Sequence, residues 1–158
     1  MFFSCGTSIT SVSHSSIRES LYGNTLIEIP YANCSERFSK KLKKRIEKLY
    51  RKRGEKVDVL CFYNRGYQVT QHMVDSIIEH NNKDLLVIFK SKNVSYKNKG
   101  VRDIKYDVIA LSTKDKKEIW KARLKAKTSL GHGFLAHKVA SAFYSKIHCD
   151  HLYDIPVN

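Results

Sequence analysis

The chain has 158 residues, a formal net charge of +14 and a sequence pI near 9.7. That length fits one domain able to bury enough surface to fold without staples, and 42% hydrophobic with 11% aromatic residues excludes a disordered chain. The cation excess predicts attraction to anionic surfaces and says nothing about fold; no run of 18 apolar residues occurs, so no helix is predicted to cross a bilayer.

The first feature along the chain is Phe2-Phe3-Ser4-Cys5-Gly6-Thr7-Ser8. Cys5 lacks the periodic apolar flanks of a core cysteine, and small Ser4 and Gly6 leave its thiol open to acyl transfer. The stretch resembles the box that ends a bacterial lipoprotein signal, with Phe2 where leucine is commoner. That resemblance implies lipid attachment at Cys5 and a place in the bacterial cell envelope, on the periplasmic side or at the surface; the alternative is the cytoplasm. The charged and apolar regions of a full leader do not precede Cys5 here, so DNA upstream of Met1 is expected to encode them in frame. Residues 1–23 then read as this box followed by a polar, Ser-rich tether.

Residues 24–153 read as a single domain, with 154–158 as a tail. Asn24 to Tyr31 is the first predicted strand, with Pro30 marking its end or an edge. A helix follows, with Ser35 as N-cap and Gly54 as the C′ stop. Phe38, Leu42, Ile46, Leu49 and Tyr50 form its apolar stripe, and its other face carries Lys40, Lys41, Lys43, Lys44, Lys48, Arg51 and Lys52. Residues 36–56 hold eleven Lys/Arg against three Glu, a net of +8. Val57 to Tyr63, apolar nearly throughout, predicts a central strand with Cys61 as a small buried hydrophobe. Arg65-Gly66-Tyr67 is a loop, and Thr70 caps a second helix that buries Met73, Val74, Ile77 and Ile78.

The period then changes from 3.6 to 2. Strands are predicted over 84–96, 101–111 and 118–127, joined by short turns as an antiparallel meander. In the last strand Trp120, Ala122, Leu124 and Ala126 point one way, and Lys121, Arg123, Lys125 and Lys127 the other, so one sheet face is packed and the other wet and basic. A final helix spans Phe134 to His148. The order β-α-β-α-β-β-β-α predicts an α/β (α+β) two-layer sandwich: a mixed sheet, a C-terminal antiparallel meander, and helices on one face.

The stretch Tyr106 to Ala122, with a strand end, a charged turn and a tryptophan opening the next strand, resembles a hairpin common in small bacterial envelope lipoproteins. Glu79 to Ile88 is similar to their passage from second helix to third strand. The likeness covers residues 24–153 and includes domain-of-unknown-function lipoproteins, TolB amino-terminal-like domains and lipoprotein activators of cell-wall synthases. It implies protein binding without catalysis, and no catalytic residue carries over. The turn here, Lys114-Asp115-Lys116-Lys117, lacks the glycine usual in that group.

Other chemistries fare worse. A metal-dependent nuclease needs carboxylates and a lysine on one face; Asp107, Glu118 and Lys121 mimic the set, but Glu118 and Lys121 are three apart and face opposite ways on a strand. His148-Cys149-Asp150-His151 has no second ligand pair and reads as an exposed helix terminus favouring positive charge. Gly131-His132-Gly133 lacks a phosphate-loop frame and reads as a flexible entry to the last helix. A bridge among Cys34, Cys61 and Cys149 stays open. No catalytic residue, metal or cofactor is assigned. The candidate anion-binding patch is Lys40, Lys41, Lys44, Lys48 and Arg51 with Lys121, Arg123, Lys125 and Lys127. Its expected partners are a membrane, reached through the lipid anchor, and an envelope protein, cell-wall polymer or anionic lipid; nucleic acid is the runner-up.

Overall fold

A computed structural model describes residues 6–13, 23–32, 35–63, 82–97, 100–150 and 152. Phe38, Leu42, Ile46 and Tyr50 recur every four residues, so on a helix they fall in one stripe, and all four are fully buried on α1 (Glu36–Lys52). Ser35 stands at the N-cap position, but its Oγ donates to the Ala32 carbonyl at 2.8 Å instead of accepting from the helix. Glu36 and basic Arg51 and Lys52 complement the helix dipole at either end. The helix stops as expected at Gly54, whose φ of +69° is costly for any residue with a Cβ.

Among the described residues six strands form one sheet: β1 (Gly6–Ser13), β2 (Asn24–Tyr31), β3 (Lys56–Tyr63), β4 (Leu85–Lys97), β5 (Gly100–Ser112) and β6 (Lys117–Lys127), in the order β1-β6-β5-β4-β2-β3. β2 runs parallel to both β3 and β4, and β4, β5 and β6 form the antiparallel meander. The parallel pair β2 and β3 needs a crossover, and α1 supplies it. The second described helix, α2 (His132–Cys149), follows β6.

Three expectations are corrected. The supposed tether contains β1, which pairs with β6 along its full length from Gly6 opposite Lys127 to Ser13 opposite Trp120. Its serines hid it, although Thr7, Ile9, Thr10 and Val12 are β-branched; the edge of β6 supplies the partner. β3 is an edge strand and not a central one, because β2 occupies the place between it and β4. Pro30 of β2 lies beyond the last pairing with β4, at Glu28 opposite Ile88, where a missing amide costs no bond to that strand. The opposite sheet face is not basic throughout either. Leu26, Leu86, Ile88 and Leu111 are buried there with Ile109 against them, because the inner strands are apolar on both faces. The helix expected after the Thr70 cap, with Met73, Val74, Ile77 and Ile78 on its buried face, lies outside the described residues.

Both described helices lie on one face of this mixed sheet, giving the two-layer α/β arrangement. Their apolar stripes share one core with the inward residues of β2 to β6. Aromatic rings run through it edge to face: Phe89 with Tyr106 (5.3 Å) and Phe143 (4.8 Å), and Tyr50 with Tyr144 (5.1 Å).

Candidate functional site

The basic residues divide between two surfaces. Trp120, Ala122, Leu124 and Ala126 are buried in the core beneath the helices. The alternation of a strand therefore turns Lys121, Arg123, Lys125 and Lys127 to the other side of the sheet, and all four are exposed. The α1 lysines lie on the far side of the helix layer. The nine-residue patch is not one site, because a residue pattern along single elements cannot say which faces they share.

On α1 the set divides again. Lys40 is tied to Glu36 at 2.6 Å, one turn away. Arg51 lines a separate cleft of about 530 Å³ with Glu47, Glu55, Asp58 and Lys83. Lys41, Lys44 and Lys48, joined by Arg45, line a groove of about 380 Å³ that Gly133 of the first turn of α2 closes. A Cβ on Gly133 would stand 3.5 Å from the Lys41 ammonium. His132, one residue earlier, is half-buried, and its Nε2 has no hydrogen-bond partner. Burial first, then the charges of Lys41 and Arg37, hold its pKa below the ordinary histidine range. No acidic residue occupies the first turn of α2. This groove is therefore a concentration of positive charge without an acidic partner among the described residues. Arg45 and Gly133 belong to it and were missed; Arg45 sits in the Lys43-Lys44-Arg45 run, but nothing in the sequence joins Gly133 to α1.

On the opposite face, Asp107 of β5 is buried between two cations. Arg123 Nε donates to its Oδ1 at 3.0 Å, and Lys92 Nζ lies 3.6 Å from Oδ2. Burial pushes the carboxyl up, but the hydrogen bond and charge of Arg123, with Lys92, outweigh it and hold the pKa below the usual carboxylate value. Glu118 pairs in register with Leu111, four residues along β5 from Asp107, so the nuclease-like acids are not brought together. Among the described residues no group of three or more His, Cys, Asp or Glu is placed to hold a metal ion. Arg123→Ala is expected to cost about 1 kcal/mol at neutral pH. Since a lowered carboxyl pKa favours the folded state only while Asp107 is ionised, the deficit should close as pH falls below 4 through the folded value. Urea titrations of both proteins across that range check this; a gap that stays constant with pH contradicts it.

His148 is not an exposed helix terminus. It is buried, with Nδ1 donating to the Tyr144 carbonyl and Nε2 against Glu55 Oε2, each at 2.7 Å. Cys149 is exposed and Cys61 half-buried, and both are free thiols. Burial pushes Cys61 up to about 11, and its Sγ donates to the Ser39 carbonyl at 3.4 Å. Cys5 and Cys34 lie outside the described residues.

No family model matches the chain, and no curated protein matches it. Among solved structures it is similar to the PelC dodecamer from Paraburkholderia phytofirmans, at 11% identity with a TM-score of 0.54, covering 89% of this chain and 96% of that one. A leucine-to-methionine variant of the same dodecamer gives 12% identity and a TM-score of 0.54, covering 87% and 96%. At that identity the likeness is one of fold: a PelC-like α/β sandwich.

Proposed function

We propose that this chain is a non-catalytic module of the bacterial cell envelope, acylated at Cys5, whose basic α/β domain binds an anionic envelope component through the α1 groove. The observation that carries this reading is the convergence of Lys41, Lys44, Arg45 and Lys48 on one groove with no carboxylate among the described residues to neutralise them. Four like charges held together repel one another, and an anion relieves that repulsion. The nearest carboxylates on α1 are committed elsewhere: Glu36 to Lys40 at 2.6 Å and Glu47 to Lys43 at 3.8 Å. The Ser4-Cys5-Gly6 box supports the anchoring half of the reading.

Mass spectrometry of the protein purified from its native host tests the anchor. A diacyl or triacyl mass on the peptide containing Cys5, from protein in the membrane fraction, is the expected result. An unmodified Cys5 on protein recovered free in the cytosol defeats the reading. In that case duplex-DNA affinity falling steeply with salt would turn the groove toward nucleic acid.

A further inference from the structure

Of the five exposed large apolar side chains among the described residues, Leu60 lies within β3 and the other four lie at or near the ends of their elements. Tyr63 closes β3, Tyr96 lies at the end of β4, Leu130 stands in the β6–α2 loop, and Phe134 lies in the first turn of α2, with exposures of 39%, 43%, 66% and 39%. β2, β3, β4 and β6 all run toward the same end of the sheet. The four side chains therefore gather at that one end, where the β6–α2 loop also lies. Both helices start there and run back along the sheet, and the cationic groove extends from the second to the fourth turn of α1 beside the start of α2. Lys138 stands 5.3 Å over the Phe134 ring. β1 starts at this end too, since Gly6 pairs with Lys127, the last residue of β6. In sequence, Gly6 is the residue directly after Cys5.

We propose that this end of the domain is a docking face for an anionic phospholipid surface. Leu130, Phe134, Tyr63 and Tyr96 enter the interfacial region, and Lys41, Lys44, Arg45 and Lys48 meet the headgroup phosphates. Amphipathic aromatic rings and long cationic side chains are the residues that settle at a bilayer interface, and juxtamembrane cations are drawn to anionic lipid. Apolar anchoring and charge attraction add, and neither suffices alone for stable attachment. With β1 beginning directly after Cys5, an acyl chain there would hold the domain flush on the bilayer with this face down. The inference deepens the proposed reading by naming its anionic partner and the face that meets it.

The test uses full-length chain without acylation, sedimented with vesicles of phosphatidylglycerol in phosphatidylcholine or of phosphatidylcholine alone. Binding to the anionic vesicles, weakened by salt, is expected. Lys41→Glu/Lys44→Glu should weaken it at least tenfold, and Leu130→Ser/Phe134→Ser should weaken it several-fold. Lys114→Glu/Lys117→Glu makes the same charge change in the exposed turn at the other end of β6, roughly 30 Å away at about 3.3 Å per residue, and should leave binding near wild type. Thermal melts matching wild type establish that each variant is folded. Equal loss in all three variants, or no vesicle binding by wild type, overturns the proposal. So does displacement by inorganic phosphate but not by chloride at equal ionic strength, which would mark a discrete phosphate site. Because the protein in this assay carries no lipid, a failure here leaves acylation of Cys5 standing, and an unmodified Cys5 in the native host leaves this face standing.

Discussion

Trp120→Ala should lower the free energy of unfolding by about 4 kcal/mol, within the range for emptying a buried tryptophan site. Trp120 is fully buried on β6, its ring edge-on to Phe143 at 6.4 Å. Its indole Nε1 donates to Asp150 Oδ2 at 2.7 Å, just past the end of α2. The residue thus joins the sheet to the last helix by packing and by a hydrogen bond to a charged acceptor. Small domains are stable by roughly 5–15 kcal/mol, so the loss is a large part of the total. Trp120→Phe separates the two contributions: it keeps most of the volume and should cost about 2 kcal/mol, much of it the lost bond to Asp150. Urea denaturation followed by far-ultraviolet circular dichroism measures both, since the single tryptophan is the residue removed. An alanine variant within 1 kcal/mol of wild type would contradict the packing.

Glu55→Ala is expected to cost about 3 kcal/mol, the scale for taking the shared carboxylate away from two buried polar groups. The Glu55 carboxylate accepts from the Tyr144 hydroxyl at one oxygen and faces His148 Nε2 at the other, 2.7 Å away. A carbonyl can only accept, so His148 Nδ1 carries the proton that it shares with the Tyr144 carbonyl. Tyr144 and His148 are each 8% exposed, so water cannot readily replace a carboxylate taken from them. Glu55 follows the Gly54 stop of α1, and His148 sits in the last turn of α2. The cluster therefore clamps the C-terminal ends of the two helices together. Glu55→Gln retains an acceptor and the side-chain shape and should cost about 1 kcal/mol. Equal costs for the alanine and glutamine variants would mean that the clamp works through packing alone.

The candidate site was legible in part. The charge on α1 is a property of composition, and helical periodicity alone turns it away from Phe38, Leu42 and Ile46. That Lys41, Lys44 and Lys48 face Gly133 depends on how α2 lies beside α1, a contact between residues some ninety positions apart. The same distance hid the role of His148, whose local surroundings in sequence resemble any basic helix terminus. Asp107 was noticed for its resemblance to a metal ligand, and the cross-strand register with Arg123 makes it half of an ion pair.

Local periodicity was enough to establish α1, the meander, the buried Trp120 face of β6 and the two-layer class, because each depends on residues two to four apart along one element. Strand order, the edge position of β3, the pairing of β1 with β6 and the gathering of exposed aromatics at one end came only from the tertiary structure. A backbone hydrogen-bond ladder has the same chemistry whichever strand supplies the partner. Its assignment is decided by the packing of distant faces and leaves no pattern in the residues themselves.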